Sequence, residues 1–180
     1  MPSASQTIPI FPRPAGMMLR PLPLAPLSAA LSMLARRVVT RHPGLLRRLG
    51  AHDRARFLID PTDLPLVLCL EPRGGQVRVT AHRQAPRADV RIAGPLAALL
   101  GLVHGAYDGD ALFFSRDLVI EGDTAAALAL RNAIDDAELD LAEELTALPP
   151  VLAGALRRAI ALAERRTGVA LTRVAEGPAW

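Results

Sequence analysis

Residues 64–82 read LPLVLCLEPRGGQVRVTAH, and the period of this run decides the fold class. Leu64, Leu66, Leu68 and Leu70 together with Val67 and Cys69 make a strand that is apolar on both faces. Pro72, Gly74 and Gly75 then supply a hairpin turn, because paired glycines accept the positive φ values a two-residue connection demands. Beyond the turn, Val77, Val79 and Ala81 alternate with Gln76, Arg78, Thr80 and His82. Strict alternation predicts one buried and one wet face.

Working outward, the same period of two predicts a strand over 55–59 and another through Val90 and Ile92, which alternate with Asp89 and Arg91. Upstream the period lengthens. Leu27, Ala30, Leu31, Leu34 and Val38 share one face of a helix over 27–41, with Ser28 in its first turn. His42-Pro43 stops that helix, since the residue before proline avoids α geometry. A short helix over 44–49 follows. Downstream, Gly94-Pro95 opens a helix carrying Leu96, Leu99, Leu100 and Val103. An Asp108-Gly109-Asp110 turn leads to a strand over 112–120. Asp123 is the expected N-cap of the next helix, which carries a stripe from Leu130 to Leu148 and stops at Pro149-Pro150. A last helix spans 151–166. Helices alternating with a strand meander predict an α+β fold, with helices packed over one face of a mostly antiparallel sheet.

Composition removes several functions. The chain has 180 residues, of which 51% are hydrophobic and 22% charged, enough for a sizeable core. Aromatics are only 3%, which disfavours a nucleic-acid reader that stacks bases on rings. All 21 basic residues are arginine, so Schiff-base and P-loop lysine chemistry are excluded. A single cysteine, Cys69, forbids an internal disulfide and points to a reducing cytoplasm. No run approaches the ~20 apolar residues of a spanning helix, and the N-terminus lacks a signal-peptide layout. Seven of the sixteen prolines fall in residues 1–26, which predicts an extended arm.

Catalytic constellations are missing. His42, His52, His82 and His104 have no metal-ligand spacing, and Ser115, Asp117 and His104 lack a nucleophile elbow. The carboxylates between Asp135 and Glu144 read as a solvated helix face. Two features remain. Arginines gather at Arg36, Arg37, Arg41, Arg47 and Arg48, and again at Arg157, Arg158, Arg165 and Arg166. Such helices suit an anionic membrane surface or a partner, or are simply solvated. In the membrane reading Arg157, Arg158 and Arg165 meet the headgroups, above Leu152, Leu156 and Ala159. The second feature is an aliphatic surplus. Either helices cover both sheet faces, or the interior is hollow and holds something apolar. By shared phase, Leu68, Leu70, Val79, Ile92, Leu99, Val103, Phe113, Phe114 and Leu128 are expected to line that pocket.

Residues 110–123 read DALFFSRDLVIEGD and are followed by Thr124 and a helix with Leu128, Leu130, Arg131 and Asn132. Together with ADVRIAGP at 88–95, they resemble the end of a sterol carrier protein 2 (SCP2) domain. Within that superfamily the pattern is most similar to UbiT-type ubiquinone biosynthesis accessory factors, over about residues 19–166. The resemblance implies a five-stranded SCP2-like sheet with helical N- and C-terminal extensions. It divides the chain into an arm (1–23), a lipid-binding domain (24–148), an amphipathic helix (149–166) and a tail (167–180). It further implies a non-catalytic protein without a cofactor, holding a prenylated ubiquinone intermediate or a phospholipid in a hydrophobic tunnel. The implied setting is oxygen-independent ubiquinone synthesis with UbiU and UbiV, in the cytoplasm at the inner membrane. A general phospholipid or sterol carrier, or a membrane-associated scaffold, is the alternative. In either case Gly122 is expected to need a conformation that a side chain resists, and Asp123 to accept the first free amides of its helix.

Overall fold

The hairpin is built as its glycines dictate. In the computed structural model, which describes residues 23–104 and 118–137, Arg73 pairs with Gln76 across Gly74 (φ 54°) and Gly75 (φ 80°). Both central residues have positive φ, the condition for a hairpin turn whose twist matches that of its strands. β2 (Val67–Arg73) and β3 (Gln76–His82) flank it. β2 begins three residues later than the expected strand and runs three further. Pro65 has no amide to donate, and the chain is still turning where the Leu64 N–H meets the Pro61 carbonyl at 3.0 Å.

β1 (Phe57–Pro61) pairs with β2 antiparallel and with β4 (Val90–Gly94) in parallel. β5 (Val119–Gly122) completes the sheet antiparallel to β4. The strand order is β3-β2-β1-β4-β5, so the one parallel pair lies inside a mostly antiparallel five-stranded sheet. The expected α+β class stands.

Helices α1 (Leu24–Arg41), α2 (Gly44–Arg48), α3 (Leu96–His104) and α4 (Thr124–Ala137) complete the described fold. The register puts Phe57, Ile59, Leu70, Val90, Ile92 and Ile120 on one sheet face. That face packs against Leu49, Ala98 and Leu99, and against Ala126, Ala127, Leu130 and Ala133 of α4. Phe57, Leu49 and Val90 are essentially inaccessible to solvent. Full burial of such side chains stabilises the fold by about 2 kcal/mol each. The alanines let α4 approach closely, because a methyl group is all that separates its backbone from the core. On the other face Arg91 bridges Asp60 (2.6 Å) and Glu121 (2.8 Å), while Leu58 and Cys69 are buried there.

α1 begins at Leu24, three residues before the expected start, so Ser28 lies beyond its first turn. Its place is set by two serines. The Ala81 N–H donates to Ser28 Oγ (2.9 Å), and the Val79 N–H donates to Ser32 Oγ (3.0 Å). Ser32 Oγ in turn donates to the Val79 carbonyl at 2.6 Å. Four helical residues advance about 6 Å and two strand residues about 6.7 Å, so the spacings match. β3 is an edge strand whose free backbone groups would otherwise pair with another chain. The serines of α1 satisfy three of them, the Val79 N–H and carbonyl and the Ala81 N–H.

Candidate lipid-binding site

The corner between β5 and α4 positions the helix that covers the sheet. Gly122 has φ 88°, and a Cβ there would lie 2.2 Å from the Asp89 carbonyl oxygen. Only glycine fits this approach. The same carbonyl accepts the Asp123 N–H at 3.0 Å, and the Asp89 carboxylate accepts the Arg56 N–H at 2.8 Å. Asp89 thereby ties the starts of β1 and β4 to the end of β5. The Asp123 carboxylate accepts the N–H groups of Ala125 and Ala126, both at 3.0 Å. It is the N-cap expected from the sequence, and His52 Nδ1 stands 3.5 Å from its second oxygen.

A second cap comes from far away in the chain. The Leu96 N–H donates to Asp63 Oδ1 at 2.9 Å, so a loop residue after β1 satisfies the start of α3. Sequence reasoning passed over Asp63 and Ser32, and read Asp89 only as a wet-face residue of its strand. The signal was present only as i, i+4 serines on an apolar helix and as isolated aspartates at strand ends.

The residues expected to line a pocket divide into three groups. Leu68, Leu70, Val79 and Ile92 share one sheet face, because Leu70 is paired with Val79 while Leu68 and Ile92 both lie beside Ile59. Ile92 and Leu99 belong to the buried cluster, Leu70 packs against it, Val79 is buried and Leu68 is half-buried. Leu128 is not brought to them: it is 54% exposed. Ala126, Ala127 and Leu130 hold the inner side of α4, and a residue two positions before Leu130 falls ~200° around the helix from it. The Val103 side chain, Phe113 and Phe114 lie outside the described residues, as do Arg157, Arg158 and Arg165.

Among the described residues the assembled surface is aliphatic. The charged side chains of the described strands lie on the opposite sheet face and at the sheet ends. There, hydrogen bonds to Glu121 and Asp60 raise the Arg91 pKa further above its ordinary value, so it stays cationic. Burial, reinforced by Glu71 and opposed by Arg56, pushes the Cys69 thiol up and keeps it protonated. Among the described residues no group of three His, Cys, Asp or Glu is placed to hold a metal ion. Nor is any described helix long and apolar enough to cross a membrane.

A five-stranded sheet of this order, with helices closing one aliphatic face, defines an α+β domain built on a single aliphatic core. The chain belongs to the SCP-2 sterol transfer family, which it matches over residues 35–135. One relative is the ubiquinone biosynthesis accessory factor UbiT of Escherichia coli K12, 42% identical over 57 residues. That segment is 32% of this chain and spans about a third, 33%, of UbiT. Among solved structures, the UbiJ-SCP2 ubiquinone synthesis protein shares the fold, with a TM-score of 0.55 at 23% identity. That superposition covers 66% of this chain and 98% of UbiJ-SCP2. A crystal structure of sterol carrier protein 2 superposes with a TM-score of 0.46 at 13% identity, over 59% of this chain and 92% of the other.

Proposed function

We propose that this chain is a non-catalytic, UbiT-type accessory factor that holds a prenylated ubiquinone intermediate between its sheet and helices. The observation that carries the reading is the 42% identity to UbiT within a chain of the SCP-2 family. The physics is compatible with it. An isoprenoid tail is apolar and costly to leave in water, and in this reading α3 and α4 part from the sheet to admit it beside Leu68, Leu70, Val79, Ile92 and Leu99, of which the fold packs Leu70, Ile92 and Leu99 into its core. In this reading Val103, Phe113 and Phe114 also contact the ligand, and Leu128 does not. The protein presents the aromatic head to proteins of the UbiU and UbiV type, in oxygen-independent synthesis at the cytoplasmic side of the inner membrane. The C-terminal arginines Arg157, Arg158 and Arg165 are assigned to the membrane side of that arrangement.

Mass spectrometry of lipid extracted from the natively purified full chain tests the reading. Prenylated phenols or quinone at near-stoichiometric yield are the expected result. A mixture of phospholipids or sterols without prenylated aromatics would overturn it in favour of a general lipid carrier.

A further inference from the structure

The arginines that the lipid-facing surface leaves unused converge at one end of the sheet. Two adjoining clefts, each about 310 Å³, flank the β2–β3 turn and share Pro72 and Arg73. One is lined by Leu46, Arg47, Gly50 and Asp53. The other is lined by Arg54, Arg56, Glu71 and Gly74. Four arginines thus face two carboxylates, a surplus of two positive charges. Glu71 is engaged by Arg56 Nε at 3.0 Å and by Arg73 at 3.5 Å, which fixes both guanidinium groups at the rim. Arg73 remains 65% exposed, and a Cβ on Gly74 or Gly75 would meet nothing within 4 Å, so the turn projects into open space.

We propose that this hairpin end is a docking surface for an anionic bilayer, with Arg47, Arg54 and Arg73 seating phosphodiester headgroups. A planar guanidinium fork matches two phosphate oxygens at once, and several exposed forks around one turn suit a headgroup layer better than a single ion. Leu46 and Pro72 add apolar lining beside the arginines. Glu71 gathers Arg56 and Arg73 at the turn through its two ion pairs. The surface is independent of which lipid the fold encloses, and its failure would leave the extraction experiment untouched.

Flotation of the full chain with vesicles tests it. Vesicles of phosphatidylcholine with 30% phosphatidylglycerol should bind, pure phosphatidylcholine should not, and 0.5 M salt should release the protein. Each arginine near such a surface is worth on the order of fivefold in partitioning, so R47Q/R54Q/R73Q should bind roughly a hundredfold more weakly. Arg54→Glu alone should lose at least tenfold, which provides a second reading if the triple variant folds poorly. Glycerol phosphate at millimolar concentration should compete only weakly. Partitioning of both variants within twofold of the parent overturns the proposal. So does equal binding to neutral vesicles, full competition by glycerol phosphate, or loss that follows Arg157, Arg158 and Arg165 instead.

Discussion

Replacing Gly122 by alanine tests the corner on which the helical cover depends. Two penalties are expected. The first is the backbone: at φ 88° a non-glycine residue costs about 1–2 kcal/mol. The second is steric. The new Cβ would sit 2.2 Å from the Asp89 carbonyl oxygen, and backbone cannot swing aside as a side chain does. Relief requires separating β5 from β4, which breaks the 3.0 Å bond from the Asp123 N–H to Asp89, about 1 kcal/mol. It also misaims the Asp123 cap, worth ~1 kcal/mol. The lower conformational entropy of the unfolded alanine chain returns less than 1 kcal/mol. The net loss is about 3 kcal/mol, or a fall in Tm on the order of 10 °C for a domain of this size. Circular dichroism melts and urea titrations of the lipid-stripped protein measure it. A Tm within 2 °C of the parent would refute the reasoning, because the close approach would then cost nothing.

Two further outcomes follow from the edge and the buried thiol. Ser32→Ala leaves both the N–H and the carbonyl of Val79 without their partner and should cost about 1–3 kcal/mol, with Ser28→Ala costing less. Hydrogen exchange at Val79 and Ala81 should accelerate in the double variant, and unchanged protection would show that α1 is held by packing alone. Cys69 should react with Ellman's reagent only after unfolding. Its raised folded pKa means the thiol contributes stability that is present below the unfolded value near ~8.5 and lost as pH rises. Cys69→Ala should flatten that alkaline decline, and a decline identical to the parent's would assign it to other groups.

What the sequence by itself determined was local. The Gly74-Gly75 turn, the alternation along β3, the break at His42-Pro43 and the Gly122-Asp123 corner each depend on residues within a few positions of one another. Backbone sterics and short-range periodicity are enough to read them. The spatial partners were decided only by the tertiary structure. Nothing in the FLIDP of β1 says that it pairs in parallel with β4 and antiparallel with β2, because an apolar strand meets either neighbour equally well. The choice follows from packing one aliphatic face under α3 and α4 at once. Asp63 reaching Leu96 and Ser32 reaching Val79 span 33 and 47 residues, so their roles exist only after the chain has closed. Leu128 shows the opposite case: the stripe that begins at Leu130 already set the phase of α4, and a residue ~200° around the helix from Leu130 does not share its face, so the exposure of Leu128 was legible in the helical period.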